Sequence, residues 1–188
     1  MAIKPGLCNL WIFACIGYAL IWIGMIWANR KRGAPIEDPE IYSFSDRKFM
    51  TVTVMLPTVA LFIAAIFIPL SDGVLFRCGF IIFASGIIIN LVSMYSFARN
   101  TDGLNRGGIY RFSRNPMYIG GFLFIVGLNL MGWRVSAINS VFCILSLIWV
   151  AATHRTVLQE ESFLEYRYGD TFTAYRHAVP RYLGIPKR

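Results

Sequence analysis

Residues 78–98 read CGFIIFASGIIINLVSMYSFA, a run of 21 residues without a charged side chain. An α-helix rises about 1.5 Å per residue, so this run is long enough to cross a hydrocarbon core of roughly 30 Å. Four further charge-free runs lie along the chain, at 5–29, 49–71, 115–133 and 135–153. The sequence therefore predicts an all-α, polytopic membrane protein with five transmembrane helices.

The composition supports this interpretation. Of the 188 residues, 56% are hydrophobic and 15% are charged, which is unlike an ordinary soluble domain. The longest pieces between and after the runs, 29–48 and 154–188, are too short for a nucleotide-binding α/β domain. We therefore treat 1–188 as a single membrane domain whose chemistry must be built from helix ends and loops. Its spans are placed at about 7–28, 49–70, 75–98, 116–133 and 135–153.

The basic residues are divided unevenly between the two sides of the membrane. Segments that must share one side hold fifteen Lys and Arg, and those on the other side hold three. The positive-inside rule places the N-terminus outside, and the C-terminus with the two larger loops in the cytoplasm. Orientation and contact with an anionic lipid bilayer explain the net charge of +8, so no nucleic-acid partner is predicted.

The most unusual segment is RNTDGLNRGGIYRFSRNPMYIGG at 99–121. Asn115 and Pro116 predict a helix start, because Asn accepts a hydrogen bond from an early amide and Pro needs no amide partner there. A cation such as Arg114 is unfavourable beside a helix N-terminus unless an anion is near. Arg114 and the amides at 116–118 would bind a carboxylate or phosphate, from either a ligand or a lipid headgroup.

Glycine and tyrosine residues in the same segment have two interpretations each. Gly103, Gly107 and Gly108 permit close backbone approach to a flat ligand, or they only punctuate a loop. Tyr110 and Tyr118 stack on a ring or a cation, or they belong to the interfacial aromatic belt. The residues alone leave both interpretations open.

A second cluster, HRTVLQEESFLEYRYG at 154–169, follows the fifth span and carries the adjacent acids Glu160 and Glu161. One interpretation is an exposed helix whose acids pair with Arg155 and Arg167, worth about 0.5 kcal/mol each. The other is a pair of acceptors for ribose hydroxyls or an amino group, or an acid or base with a shifted pKa.

The cytoplasmic tail, 154–188, is predicted to be an amphipathic helical segment. Phe163, Leu164, Tyr168 and Phe172 give it an apolar side. Such a side favours folding back over the helices rather than extending into water. The tail would then exclude water from a site beneath it.

The order and spacing of these segments resemble those of the isoprenylcysteine carboxyl methyltransferase and phospholipid methyltransferase superfamily of integral membrane enzymes. The resemblance runs from GLNRGGIYRFSRNPMYIGG, through an apolar hairpin, to EESFLEYRYGDTFTAYRHAVPRYL, or roughly 102–183. It implies a methyltransferase-like catalytic region at 99–188. It also implies that S-adenosyl-L-methionine lies in a cytoplasmic pocket between the loop, the penultimate helix, the last helix and the C-terminal segment.

Carried over residue by residue, the resemblance assigns site residues to the loop and to the acidic pair. Cofactor contacts fall on Leu104, Gly108, Tyr110, Arg114, Asn115, Pro116, Met117, Tyr118, Glu160 and Glu161, with further family positions at Tyr168, Gly169 and Tyr175. The catalytic candidates are Glu160, Glu161 and Arg155, the last being nearest to the arginine that precedes the family's acidic pair. Asn115 stands where the isoprenylcysteine enzymes have histidine, so an ionisable ring is absent there.

These features predict an S-adenosylmethionine-dependent methyltransferase acting on a lipophilic or lipidated acceptor, either isoprenylcysteine carboxylate-like or phospholipid-like. In-line methyl transfer needs alignment and a dry pocket but no metal. No metal site is predicted, because His154 and His177 have no second ligand at a metal-binding spacing. Two alternatives stay open: an NADPH-dependent membrane reductase, since sterol reductases look similar in this region, and a non-enzymatic carrier or scaffold.

Overall fold

The computed structural model describes residues 9–33, 51–100 and 103–184. Within these ranges the chain forms six α-helices and no β-strand, so the all-α prediction is confirmed. A π-helical turn, Thr51–Met55, precedes the second helix, and a 3-10 turn, Gly108–Arg111, precedes the fourth. The helices are α1 (Trp11–Arg32), α2 (Leu56–Ile66), α3 (Val74–Arg99), α4 (Pro116–Met131), α5 (Ala137–Tyr168) and α6 (Asp170–Ala178).

Three helices, α1, α3 and α5, are long and apolar enough to cross a membrane, as judged by length and composition. Two shorter apolar helices, Val52–Ile66 and Pro116–Met131, occupy the second and fourth predicted spans. The 16 residues of α4 extend about 24 Å, which is less than a hydrocarbon core of roughly 30 Å. The described residues therefore contain three candidate spans, and the five-span topology stays a prediction.

The second predicted span is shorter than expected because the backbone after Ile66 leaves the helix to pair with other segments. The carbonyl oxygen of Ile68 accepts a hydrogen bond from the Leu10 amide at 2.9 Å, and the Ser71 amide donates to the carbonyl oxygen of Met131 at 2.7 Å. These bonds tie the start of α1 and the ends of α2 and α4 together at one end of the bundle.

Helices α3 and α4 form the most extensive helix pair in the described bundle. A Cβ added to Gly86 would lie 2.6 Å from the carbonyl oxygen of Gly120, and one on Gly127 would lie 2.5 Å from the amide nitrogen of Phe83. The two backbones therefore touch through glycine, as in small-residue contacts between membrane helices. This glycine seam fixes the first turn of α4, where the candidate site lies.

Helix α5 continues without a break past residue 153 to Tyr168, so the fifth predicted span and the start of the tail form one helix. Gly169, with φ of 50°, ends α5. Helix α6 then packs back against the loop before α4, through a cluster of Phe172, Tyr175, Val179, Leu104, Leu164, Tyr168 and Ala178. The prediction of a helical tail that folds back on the protein is confirmed for 154–178, whereas 179–184 are not helical and 185–188 lie outside the described residues.

Candidate functional site

A cavity of about 580 Å³ lies where the loop before α4, the first turn of α4 and the polar half of α5 meet. Its volume is within the roughly 300–1,000 Å³ of small-molecule sites. The lining residues run from Tyr18 to Arg32 along α1 and from Trp149 to Tyr168 along α5. The cavity therefore has an apolar end between the membrane helices and a charged end beyond them.

Helix α5 contributes one main row of side chains to the cavity, and Glu161, Leu164 and Tyr168 widen it on one side. The residues of the main row recur every three or four positions, at Trp149, Thr153, Thr156, Glu160, Phe163 and Arg167, which is the spacing along one side of a helix. Arg155 is one residue before Thr156, about 100° around the helix axis. It is exposed and does not line the cavity, so its catalytic role stays a prediction.

The Glu161 carboxylate joins three segments of the chain at the cavity wall. It accepts hydrogen bonds from Arg114 Nε at 3.1 Å, Asn115 Nδ2 at 2.9 Å and Arg181 Nε at 2.9 Å. The side chains of Arg114 and Glu161 are only 7% and 8% exposed. We call these four residues the Glu161 clamp, because they hold the loop before α4, helix α5 and the C-terminal segment on one carboxylate.

Arg114 also binds the backbone of the C-terminal segment. Its Nη1 donates to the carbonyl oxygens of Arg176 at 2.7 Å and Val179 at 2.9 Å, while Nε and Nη2 donate to Glu161. A guanidinium has five N–H donors, so protein acceptors take four of them. Arg114 lines the cavity but has little capacity left for an anionic ligand.

Asn115 does not cap α4, and this part of the prediction is wrong. No side-chain hydrogen bond joins Asn115 to the amides of the first turn, although Pro116 begins the helix as expected. The Asn115 side chain instead donates to Glu161, and to the Arg181 carbonyl at 3.3 Å. Hydrogen bonds to a charged acceptor are stronger than neutral ones, so the carboxylate draws the amide away from the helix end.

Nine of the ten predicted cofactor contacts line the cavity: Leu104, Tyr110, Arg114, Asn115, Pro116, Met117, Tyr118, Glu160 and Glu161. Glu160 accepts a hydrogen bond from the Tyr118 hydroxyl across the cavity wall. Tyr110 is buried, and its carbonyl oxygen accepts from the Tyr175 hydroxyl at 2.7 Å. The loop before α4 and the acidic pair therefore meet at one site.

Gly108 is the predicted contact that does not line the cavity. Its φ is +57°, and a Cβ added there would lie 2.5 Å from the Ser96 hydroxyl oxygen. Both observations explain why this position is a glycine, because the backbone conformation is left-handed and α3 approaches closely. Gly108 thus holds the turn before Tyr110 against α3.

Burial of the Glu161 carboxylate acts to raise its pKa, but the Arg181 and Arg114 guanidinium groups and the Asn115 amide outweigh burial and hold the pKa below its usual 4.5. The ionised carboxylate therefore stabilises the fold at pH values above about 4.5, and this contribution is lost as the pH falls through the lower folded-state pKa. We expect the melting temperatures of wild type and Glu161→Gln to converge between pH 7 and pH 3. If the difference in melting temperature stays constant over this range, the ionised Glu161 carboxylate does not stabilise the fold as assigned.

The sequence matches the model of one protein family, described as phospholipid methyltransferase, over residues 74–171. The match begins at the first residue of α3 and covers the loop, α4, all of α5 and both acids of the pair. The chain belongs to the phospholipid methyltransferase family. No curated protein and no solved structure matches it. Membership of this family, with the long apolar helices, identifies the chain in general terms as a membrane methyltransferase.

Several cavity residues of this family member lie outside the matched region and were not predicted as site residues. Tyr18, Met25 and Arg32 come from α1, and Val54 comes from the π-helical turn. Arg181, in the Glu161 clamp, follows the match. No local motif marks these residues. Arg32, for example, is one of three consecutive basic residues that the positive-inside rule already explains.

Proposed function

We propose that this protein transfers a methyl group from S-adenosyl-L-methionine to a lipophilic acceptor. The observation that carries the proposal is the cavity, which joins a charged end at the loop before α4 to an apolar end among the membrane helices. A polar donor and an acceptor with an apolar chain need a site of this kind. The donor supplies an electrophilic methyl group on its sulfonium, and the protein supplies alignment and exclusion of water.

The charged end fits the polar parts of this donor. Glu160 is placed to accept hydrogen bonds from ribose hydroxyls or an amino group, and Tyr110 and Tyr118 offer ring surfaces to the adenine. Asn105 also lines the cavity, and its Nδ2 is buried without a partner among the residues that the structure describes. Unpartnered buried donors are rare, and an acceptor atom of a bound nucleoside would satisfy this one.

The clamp residues have a positioning role in this proposal. Arg114, Asn115 and Glu161 hold the loop and the C-terminal segment together, which replaces the expectation that Arg114 binds the donor's carboxylate. Leu104, Pro116 and Met117 shape the wall. Because two guanidinium groups lower the pKa of Glu161, this acid is a poor proton acceptor. If the acceptor is an amine or a hydroxyl, Glu160 is the candidate base.

The proposed topology has five spans, with the N-terminus outside and the donor site facing the cytoplasm. The uneven distribution of Lys and Arg and the position of the charged end beyond the apolar part of α5 support it. The acceptor enters sideways from the bilayer into the apolar end. The catalytic region proposed at 99–188 must then be extended to include the cavity residues of α1 and α3.

Calorimetry in detergent with S-adenosylhomocysteine, the product form of the donor, tests the cofactor assignment. We expect saturable binding by wild type and affinity lowered by about tenfold in Glu160→Gln, since a ligand hydrogen bond to a charged group is lost. Glu165→Gln, on an exposed acid of the same helix, should bind normally. Undetectable binding at millimolar ligand by folded protein would refute the proposal, and binding of NADPH instead would favour the reductase alternative.

A further inference from the structure

Among the described residues, three arginine side chains line the cavity: Arg32, Arg114 and Arg167. Arg114 gives four of its donors to the protein. Arg167 is exposed and lies near the rings of Phe163 and Tyr168, at 5.8 and 5.9 Å from their centroids. Arg32 differs from both, because it is partly buried and the described residues offer it only one long hydrogen bond.

Arg32 is the last residue of α1, and its guanidinium carbon lies 3.9 Å from the centroid of the Phe97 ring. Its hydrogen bond, from Nη2 to the Gly103 carbonyl oxygen, is 3.5 Å long, which is beyond the usual range for N–H···O contacts. None of the ion pairs among the described residues involves Arg32. The ring therefore holds the cation in place, while most of its N–H groups have no acceptor among the residues that the structure describes.

Within 9–33, 51–100 and 103–184, Arg32 is a partly buried cation without a counter-charge, which is unfavourable, and an anion in the cavity would correct this. The planar fork of a guanidinium matches the two oxygens of a carboxylate or a phosphate. The proposed reactants offer two such groups, the carboxylate of the methyl donor and the phosphate of a phospholipid acceptor. Gly103, which Arg32 contacts, precedes the predicted donor contact Leu104, so the cation is next to the loop of the site.

We propose that Arg32 is the anion-binding residue of the cavity and that its ligand is an oxyanion of one reactant. This inference rests on the proposed function of the cavity. It assigns a ligand contact to α1, which lies outside the region matched by the family. Arg32 also supplies the positive charge that Arg114 does not offer, because four donors of Arg114 are already bound by Glu161 and the C-terminal segment.

The test compares wild type with Arg32→Met, Arg32→Lys and Arg30→Met. Arg30 is an exposed basic residue of the same helix end that does not line the cavity, so its variant removes the same charge without touching the site. Calorimetry with S-adenosylhomocysteine is paired with 5′-methylthioadenosine, which has the nucleoside and thioether but no carboxylate. Methyl transfer to phosphatidylethanolamine in mixed micelles measures KM and kcat for a phosphate-bearing acceptor.

If Arg32 binds the donor, Arg32→Met should weaken the binding of S-adenosylhomocysteine by at least about tenfold and leave the binding of 5′-methylthioadenosine unchanged. If it binds the acceptor, the affinity for S-adenosylhomocysteine is unchanged, and KM for the lipid should rise by at least about tenfold at constant kcat. Arg32→Lys should be intermediate, and Arg30→Met should match wild type.

Unchanged S-adenosylhomocysteine affinity in Arg32→Met, together with no Arg32-dependent turnover of the lipid, would overturn the inference. An equal effect of Arg30→Met would overturn it as well, since surface charge would then be the cause. In both cases wild type still binds S-adenosylhomocysteine, so the proposed function survives. Wild type that binds no S-adenosylhomocysteine refutes the proposed function, and the inference falls with it.

Discussion

Replacing Glu161 by alanine is expected to destabilise the protein by about 3–5 kcal/mol, the usual cost of removing one partner of a buried ion pair, and to abolish methyl transfer. The variant leaves the guanidinium of Arg114, which is 7% exposed, without its counter-charge. It also releases Asn115 and Arg181 from the carboxylate. Thermal unfolding in detergent and a methyl-transfer assay measure the two effects.

Glu165→Ala is the matched control, because Glu165 lies one turn further along α5 and is also ion-paired. Its partner is Arg176 at 2.9 Å, and the two side chains are 44% and 40% exposed. Exposed pairs contribute at most about 1 kcal/mol, so this variant should fold and work normally. Equal destabilisation by the two substitutions would contradict the view that the Glu161 clamp holds the site together.

The second large effect is expected for Gly127→Ala in the seam between α3 and α4. The new Cβ would lie 2.5 Å from the Phe83 amide nitrogen and 2.6 Å from its Cα. Backbone atoms cannot rotate away as a side chain can, so the two helices must separate, at a cost of about 3 kcal/mol. The melting temperature should fall, and the displaced first turn of α4 should weaken binding of S-adenosylhomocysteine.

Gly107→Ala is the control for this substitution. Gly107 has φ of −92°, and a Cβ added there meets nothing within 4 Å. Alanine is therefore compatible with both its conformation and its surroundings. If Gly127→Ala melts at the same temperature as Gly107→Ala, the close α3–α4 contact does not determine stability.

Local patterns predicted much of the fold. Charge-free runs located the apolar helices, and Pro116 marked the first residue of α4. They could not predict that α2 ends at Ile66, because that end depends on backbone pairing with residues near 10 and 131. Helix lengths set by tertiary hydrogen bonds leave no signal in hydropathy.

The candidate site was predicted better in its location than in its contacts. The pattern placed Arg114 beside an anion, and the structure identifies one such anion as Glu161, 47 residues further along the chain. Only the fold decides such a pairing, and it also turned Asn115 from a cap into a donor to the same carboxylate. Local spacing does not report which charges are already paired.

The acidic pair shows the same limit between neighbouring residues. Adjacent positions on a helix point about 100° apart, so Glu161 meets two guanidinium groups while Glu160 meets the Tyr118 hydroxyl. Their identical chemistry predicted one shared role. In the folded protein, we assign Glu161 to positioning and Glu160 to the ligand.

The most direct test of a methyl-transfer site in this cavity is the fate of labelled methyl groups. Purified protein in lipid nanodiscs is incubated with methyl-labelled S-adenosyl-L-methionine, and the products are extracted into organic solvent. We predict that wild type and Glu165→Gln move label into the lipid fraction, that Glu160→Gln moves about tenfold less at donor concentrations below saturation, and that Glu161→Gln moves none. Label that stays in the aqueous phase with folded wild type, or that reaches lipid equally with all four proteins, would contradict a methyl-transfer site at this position.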